Sequence, residues 1–354
     1  MRLRALAVAV SVAFALAGCG TFHTGALPDT PADAKFADVA GARVHYVDQG
    51  QGPTVVMIHG FASSLGTWRP LVPALAKDHR VIALDLKGFG LTDRPPGDYS
   101  PAAQAELVWA LLKSRGVEGP VSIVAHSWGS SVALSMALSK PASVERIALY
   151  DAWVYQDQLP TFFLVARAPG VGEVLIDAFY EERPDDKMAM AFHDPRYVTE
   201  ELVENVEKQL ARPGTRAAAL AAIRGQHYEE VEAKYATIDK PVLLLWGRED
   251  RVTRLEFGER LSRELPNARL VVYPGCGHFP MIEAKAPSTR DLVEFLRPAA
   301  TGHPASTDNA VAPSPPPPAS PIPQAGSPSE SDSEPPLPSS APASAPPSTT
   351  APRP

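Results

Sequence analysis

The sequence predicts an α/β fold in which a mostly parallel, doubly wound sheet carries helices on both faces. Short apolar segments alternate with helix-length segments over most of the chain, which is typical of parallel strands joined by right-handed crossovers. Most short segments are apolar and β-branched throughout, as in strands buried on both faces. The predicted strands are 43–48, 54–58, 80–84, 121–125, 144–150, 241–246 and 269–273.

Helix-length patterns lie between the strands. They occupy 65–77, 101–115, 128–140, 254–265 and 281–297. The alternation stops between the fifth and sixth strands, where the composition is helical. We therefore expect residues 36–151 and 239–298 to form the α/β core and residues 152–238 to form a helical cap on one end of the sheet.

The N-terminus has the pattern of an export signal. Arg2 and Arg4 precede an apolar run, 5–17, that is too short to span a bilayer and fits the apolar part of a signal peptide. The run ends in Leu-Ala-Gly-Cys19, which resembles the signal of bacterial lipoproteins. That resemblance implies a signal peptide at 1–18, a spacer at 19–35 and a lipid on Cys19. The lipid would hold the exported protein at the cell envelope, on the outer membrane if there is one. A secretory signal with a chance cysteine is the alternative.

Proline and charge limit the possible functions further. Of 38 prolines in 354 residues, 17 lie beyond residue 300. Residues 299–354 are rich in Pro, Ser and Ala, so we expect a disordered tail that carries no chemistry. The net charge is −7, and without a basic excess we expect no nucleic-acid partner.

Ser127 is the candidate nucleophile. It lies in Ala125-His-Ser-Trp-Gly129, directly after strand 121–125 and at the start of helix 128–140. Such a tight strand–serine–helix turn strains the serine backbone, exposes Oγ and needs small neighbours. The segment resembles the nucleophile elbow of the α/β-hydrolase superfamily, with alanine where glycine is commoner. The alternative for Ser127 is an ordinary helix cap.

The resemblance also implies a histidine and an acid later in the chain. His278 lies in a glycine-flanked loop after the last strand, and Asp250 follows strand 241–246 in a Gly-x-x-Asp pattern. A base and an orienting carboxylate are what a hydrolytic serine requires. Glu249 and Asp151 are competing acids, and we rank both behind Asp250.

Two further motifs match the superfamily. His59-Gly-Phe61 follows strand 54–58 and resembles its oxyanion loop. The implied oxyanion donors are the backbone N–H groups of Phe61 and Trp128, and His59 is expected to hold the loop. A turn at 85–90 matches an architectural motif. No metal-ligand spacing and no glycine-rich dinucleotide loop occurs, so the sequence predicts neither a metal nor a cofactor.

The resemblance favours a serine hydrolase of carboxylic esters. Relatives that hydrolyse haloalkanes or epoxides use aspartate as the nucleophile, whereas this chain has serine. Aromatic residues and methionines in 152–238 suggest a small-molecule, ester-like substrate with an apolar group. The alternatives are a carbon–carbon bond hydrolase of the meta-cleavage type, a cofactor-free haloperoxidase, or a catalytically silent binding protein on the same scaffold.

Overall fold

One mixed sheet of eight strands forms the centre of the protein in the computed structural model, which describes residues 21–181 and 184–297. The strands are β1 Lys35–Val39, β2 Ala42–Gln49, β3 Thr54–Ile58, β4 Arg80–Leu84, β5 Val121–His126, β6 Val144–Tyr150, β7 Val242–Gly247 and β8 Ala268–Tyr273. Their order in the sheet is β1-β2-β4-β3-β5-β6-β7-β8. β2 pairs antiparallel with both β1 and β4, and the other neighbours are parallel.

The doubly wound, mostly parallel sheet predicted from the sequence is confirmed. All residues of β5 and β7 are buried, which explains why both strands are mostly apolar, although β5 also buries Ser122 and His126. Side chains alternate between two apolar clusters: Ile123 and Ala125 belong to one, and Val124 belongs to the other. Strand β1 was not predicted, because this edge strand is exposed or half-buried along its length and has no apolar pattern.

Helices cover both faces and form the segment between β6 and β7. Their bounds are α1 Val72–Leu75, α2 Pro101–Ser114, α3 Gly129–Ser139, α4 Thr161–Ala166, α5 Val171–Glu181, α6 Asp185–Ala191, α7 Glu200–Leu210, α8 Thr215–Arg224, α9 Leu255–Glu264, α10 Pro280–Glu283 and α11 Lys285–Leu296.

Two intervals predicted as single helices each form two shorter helical elements in the structure, and a proline explains the break in both. The interval 65–77 contains a 3₁₀ turn, Leu65–Trp68, followed by α1. Pro70 has no N–H to continue the turn, and Pro73 lies in the first turn of α1, where no N–H is needed. The interval 281–297 is divided between α10 and α11 at Ala284. Pro287 could not donate to the Glu283 carbonyl of a continuous helix.

Helices α4 to α8 lie between β6 and β7 and have a small apolar core of their own. Ala166, Ile176, Leu220 and Ile223 are buried together there. Phe61, in the loop after β3, packs against this cluster. The helical segment therefore contacts the edge of the sheet where the parallel strands end.

Residues 21–34 lie against the folded body. Leu27 is buried, Asp29 pairs with Arg212, and His23 forms an isolated β-bridge with Arg94. The predicted signal peptide 1–18, the lipidation site Cys19 and the predicted tail 299–354 lie outside the described residues. Within the described part of the chain, no helix is both long and apolar enough to cross a bilayer.

Candidate active site

Ser127 occupies a strained turn between β5 and α3. Its φ is +51°, a left-handed value that is uncommon for a residue with a Cβ. Its N–H donates to the Tyr150 carbonyl at 2.9 Å, and its own carbonyl accepts from the Trp153 N–H at 3.1 Å. The turn is thereby hydrogen-bonded to the end of β6, and these bonds hold a conformation that would otherwise be unfavourable.

The small residues around Ser127 are required by close approach. A Cβ on Gly129 would lie 2.4 Å from the His59 carbonyl oxygen, and a Cβ on Gly60 would lie 3.0 Å from the Ser127 Cβ. The loop after β3 and the start of α3 therefore meet directly at the serine. This contact places the predicted oxyanion loop beside Ser127.

Asp250 and His278 are in direct contact, as their candidate roles require. His278 Nδ1 lies 2.7 Å from Asp250 Oδ2, and both side chains are buried. Asp250 follows β7, and His278 follows β8, so two neighbouring parallel strands deliver the pair to one edge. Because a carboxylate only accepts, Nδ1 carries the proton and Nε2 is the basic nitrogen.

The loop around Asp250 supplies three more donors to its carboxylate. Val252 N–H and Thr253 N–H donate to Oδ1 at 2.7 and 3.0 Å, and the Thr253 hydroxyl donates to Oδ2 at 2.6 Å. Burial alone would raise the pKa of Asp250, but the His278 charge and these hydrogen bonds lower it below its ordinary value. Thr253 was not identified from the sequence, although its position three residues after Asp250 is typical of such a turn.

His278 is held next to the nucleophile turn. Its carbonyl lies 2.8 Å from Nε2 of His126, the residue before Ser127. The rings of His126 and His278 have centroids 4.7 Å apart. On the other side, the His278 N–H donates to the Ala191 carbonyl at 2.7 Å. Burial, followed by the neighbouring His278, holds the pKa of His126 well below its ordinary value, so the His126 ring is neutral.

Asp151 lies beside the Asp250–His278 pair. It follows β6, its φ is +43°, and its side chain is fully buried. Oδ1 accepts the Gly247 N–H at 2.9 Å. Within the described residues, Oδ2 is buried and has no hydrogen-bond partner. Burial first, and then repulsion by Asp250, raise the pKa of Asp151 well above its ordinary value. The structure therefore brings two of the three acids considered from the sequence to one place, whereas the third, Glu249, accepts the Cys276 N–H at 3.0 Å.

The same three side chains are the one group in the described ranges whose spacing would suit a metal ion. Asp151, Asp250 and His278 each offer a ligand atom within 4.8 Å of the others. His278 Nδ1 and Asp250 Oδ2 are already hydrogen-bonded to each other. A metal ion would have to replace that bond, and we assign the group to proton transfer.

His59 supports the loop after β3. Its Nδ1 donates to the Gly60 carbonyl at 2.7 Å, and its Nε2 accepts the Leu86 N–H at 3.0 Å. Burial lowers the pKa of His59 below its ordinary value, in spite of the nearby Asp85. The neutral ring thus ties the loop to the turn after β4, which is the structural role expected for it.

Asp85 fixes the other end of that loop. Its carboxylate accepts the N–H groups of Leu65 and Leu91 at 2.7 and 2.8 Å and lies 2.7 Å from His45 Nδ1. Gly90 has a φ of +52°, and a Cβ there would collide with the Asp85 carboxylate. The motif at 85–90 is therefore architectural, and it holds the loop that contains Phe61.

Aromatic side chains line the space between this loop and the helical segment. The Phe61 ring lies 6.1 Å from that of Trp128 and 5.4 Å from that of Phe163 in α4. Trp153 lies 5.8 Å from Phe163. These contacts place apolar surface from the sheet edge and from the helical segment next to the candidate oxyanion donors.

Glu283 joins the helical segment to the histidine loop. One carboxylate oxygen accepts the His193 and Asp194 N–H groups at 2.8 and 2.9 Å. The other accepts the Gly277 N–H at 2.7 Å. The sequence did not indicate this residue, because an acid in the first turn of a short helix carries no motif.

A strained serine next to His126, which itself contacts His278 of the buried histidine–aspartate pair, defines a hydrolase-like site at the carboxyl ends of the parallel strands. The chain belongs to the α/β hydrolase fold family, whose family model matches residues 53–285. It is 28% identical over 255 residues to the uncharacterized hydrolase YugF of Bacillus subtilis (strain 168), covering 72% of this chain and 93% of that protein.

Relatives with named activities are of several kinds. Haloalkane dehalogenase 2 of Mycobacterium tuberculosis (strain ATCC 25618 / H37Rv) is 28% identical over 274 residues, covering 73% of this chain and 92% of that protein. The meta-cleavage product hydrolase CumD from Pseudomonas fluorescens IP01 is similar in structure, with a TM-score of 0.64 and 27% identity. That likeness covers 74% of this chain and 96% of that one. The comparisons thus support a hydrolase and leave the reaction to be argued from the site.

Proposed function

We propose that this α/β hydrolase is a serine hydrolase that cleaves carboxylic esters through an acyl-enzyme. The observation that carries the proposal is the 2.7 Å contact between His278 Nδ1 and Asp250 Oδ2 beside the strained Ser127 turn. This arrangement leaves Nε2 as the base and keeps the imidazole in one tautomer.

The reaction would proceed in two halves. His278 Nε2 takes the Ser127 proton as Oγ attacks the ester carbonyl, and the imidazolium then gives that proton to the leaving alcohol. The remaining acyl-enzyme is attacked by water, which His278 deprotonates, and the acid leaves as Ser127 is reprotonated. Asp250 stays ionised and stabilises the imidazolium in both halves.

The oxyanion of each tetrahedral intermediate would be bound by the backbone N–H groups of Phe61 and Trp128. The contact between Gly60 and the Ser127 side chain supports this assignment, because it brings the loop to the reacting atom. The rings of Phe61, Trp128 and Phe163 favour an apolar acyl or aromatic group in the substrate.

Carbon–carbon bond hydrolysis is the second candidate. It is supported by the likeness to the meta-cleavage product hydrolase CumD, at 27% identity. Dehalogenation has weaker support despite the 28% identity to haloalkane dehalogenase 2. A dehalogenase of this family is expected to need aspartate at the nucleophile position, where this chain has Ser127.

A chain-length series of aryl esters, assayed beside a vinylogous diketo acid, tests the proposal. We expect the aryl esters to give the higher kcat/KM, and Ser127→Ala to abolish both turnover and labelling by a fluorophosphonate. Faster turnover of the diketo acid would favour carbon–carbon cleavage. A folded wild type that does not label, or a Ser127→Ala variant that labels equally, would instead leave a catalytically silent binding protein.

We also propose that the protein is exported and held at the cell envelope by a lipid on Cys19. The Leu-Ala-Gly-Cys19 pattern after the apolar run 5–17 supports this, and two acyl chains or more suffice for stable anchoring. Cys19→Ser should move the protein out of the membrane fraction. Retention of the variant in that fraction would contradict the anchor.

A further inference from the structure

The end of α6, in the helical segment between β6 and β7, lies against the loop that carries His278. The residues involved are 191–194, which we call the latch segment. The His278 N–H donates to the Ala191 carbonyl at 2.7 Å. Ala191 is the last residue of α6, and the last carbonyls of a helix have no partner within the helix. The N–H of the candidate base is therefore bound by the helical segment and not by the sheet.

Glu283 makes a second connection between the latch segment and the histidine loop. One of its carboxylate oxygens accepts the N–H groups of His193 and Asp194, at 2.8 and 2.9 Å. The other oxygen accepts the N–H of Gly277, the residue before His278, at 2.7 Å. Among side chains, only a carboxylate offers two acceptor oxygens. Because all three donors are backbone groups, Glu283 fixes the two main chains relative to each other.

The two chains approach each other closely on both sides of His278. On one side, a Cβ on Gly277 would lie only 2.5 Å from the Ala191 carbonyl oxygen, so a glycine is needed there. On the other side, the Phe192 ring of the latch segment stacks on that of Phe279, with centroids 4.9 Å apart and planes at 17°. The latch segment therefore contacts both neighbours of the histidine as well as the histidine itself.

The other partners of the histidine come from the sheet. Asp250 binds its Nδ1 at 2.7 Å, and Nε2 of His126 lies 2.8 Å from its carbonyl oxygen. If the latch segment moved away, His278 would keep these two partners and lose the one on its N–H. Glu283 would at the same time lose two of the three N–H groups that it binds. The position of the helical segment and that of the imidazole are thus physically linked.

We propose that Glu283 is a positioning residue, through which the seated latch segment aligns the His278 imidazole with Ser127. This inference rests on the proposed serine hydrolase function and adds a role for the helical segment. Besides contributing apolar surface at Phe163, the segment would hold the backbone of the base. A displacement of a catalytic group by about 1 Å can lower a rate about 10²-fold. Full activity would therefore require the latch segment to be seated, whatever the size of the substrate.

Two compounds separate alignment of the base from fit of the substrate. The first is diethyl para-nitrophenyl phosphate, whose ethyl groups are small. Ser127 Oγ attacks its phosphorus, His278 takes the serine proton, and para-nitrophenolate leaves. The second is an aryl ester with a long acyl chain. In Glu283→Ala we expect the rate of phosphorylation and the kcat for the ester to fall by the same factor, about thirtyfold, while KM stays within about twofold.

Two results would overturn the proposal. If only the ester reaction slows, or if KM rises and kcat is unchanged, the latch segment acts on the substrate and not on the base. If neither reaction slows, the contacts of Glu283 have no part in catalysis.

Glu173→Ala is the matched control variant. Glu173 is a partly buried acid of the same helical segment, but its partners Arg224 and Gly170 both lie within that segment. Its removal should lower Tm and leave both rates unchanged when they are measured well below Tm. If Glu173→Ala slows both compounds as much as Glu283→Ala does, the effect comes from a general loosening of the helical segment, and the role proposed for Glu283 is wrong.

A conservative variant and a spectroscopic signal keep the test decisive if Glu283→Ala does not fold. Glu283→Gln retains one acceptor oxygen, which can serve Gly277 or the latch segment but not both. We expect it to slow both compounds about fivefold. The proton NMR signal of His278 Nδ1–H, which lies in the 2.7 Å contact with Asp250, should broaden or shift in Glu283→Gln. Unchanged rates together with an unchanged signal would contradict the proposal.

Failure of the proposed function can be told apart from failure of this inference. A folded wild type that is not phosphorylated would lack the serine nucleophile, and the inference would fall with the proposed function. A wild type that is phosphorylated but does not hydrolyse esters would change only the substrate class. Glu283→Ala should then still slow phosphorylation about thirtyfold, and an unchanged rate would overturn the inference alone.

Discussion

The ends of β6 and β7 each carry a buried aspartate, and the two have opposite environments. Asp250, after β7, receives two backbone N–H groups, one hydroxyl and the His278 Nδ1–H. Asp151, after β6, receives only the Gly247 N–H. Both are less than 5% exposed, yet the pKa of Asp250 is lowered and that of Asp151 is raised.

Burial is common to both aspartates, so the local donors decide which one is ionised. Four donors, one of them the His278 imidazole, compensate the desolvation of the Asp250 charge. One donor does not compensate it at Asp151, and a second negative charge beside Asp250 is disfavoured further. Asp151 and Asp250 together therefore carry one negative charge, which lies on Asp250 next to His278.

The largest expected loss of activity follows from substituting Asp250, and it tests which of the two aspartates acts as the catalytic acid. Asp250→Asn keeps the volume but presents an amide that cannot stabilise the imidazolium, and we expect kcat/KM for an aryl ester to fall about 10⁴-fold. Steady-state kinetics, with circular dichroism to check folding, measure this. A loss smaller than tenfold would show that Asp151 serves as the acid, and the double variant with Asp151→Asn would then lose the remaining activity.

A smaller effect is expected when one donor to Asp250 is removed. Thr253→Val deletes the 2.6 Å hydroxyl contact, and a hydrogen bond to a charged group contributes about 1.5–3 kcal/mol. We expect kcat/KM to fall about tenfold. Because the lost donor had lowered the pKa of Asp250, the acid limb of the pH profile should move to higher pH.

Thr253→Ser is the matched control for this change. It retains the hydroxyl and should restore both kcat/KM and the position of the acid limb. If valine lowers the rate but the acid limb stays in place, Thr253 acts by packing rather than through the carboxylate.

The sequence predicts individual strand ends better than it predicts their assembly. Asp250 and His278 could be proposed because each follows an apolar run and lies in a recognisable turn. The proximity of Asp151 to them depends on β6 lying next to β7 in the sheet, which no local pattern specifies. The same limit applies to Glu283, whose partners His193 and Gly277 come from segments far apart in the chain.

The individual elements and residues that the sequence did not predict correctly were also missed for physical reasons. The edge strand β1 is half-exposed and lacks the apolar pattern of a buried strand. Pro70 and Pro287 interrupt intervals whose apolar spacing is otherwise helical. Side-chain donors such as Thr253 escape notice because a threonine in a turn is common in any fold.

The smallest effect on activity is expected at Asp151, where stability should respond instead. Asp151→Asn imitates the protonated acid, since its NH₂ can donate where the carboxyl O–H would, and kcat/KM should change less than threefold. In the wild type, the folded state keeps a proton on Asp151 that the unfolded state releases at pH values above the ordinary pKa of an aspartate. Between that ordinary pKa and the raised pKa of folded Asp151, the free energy of unfolding therefore falls as pH rises, by up to about 1.4 kcal/mol per pH unit. The Asp151→Asn variant lacks this dependence on pH.

Urea denaturation at pH 5 and pH 8 measures the effect. The free energy of unfolding of Asp151→Asn should exceed that of the wild type by more at pH 8 than at pH 5. The control Asp239→Asn, at a side chain that is 80% exposed, should show no such difference. An advantage that is the same at both pH values would mean that Asp151 is ionised in the folded protein, and the contrast with Asp250 would then be lost.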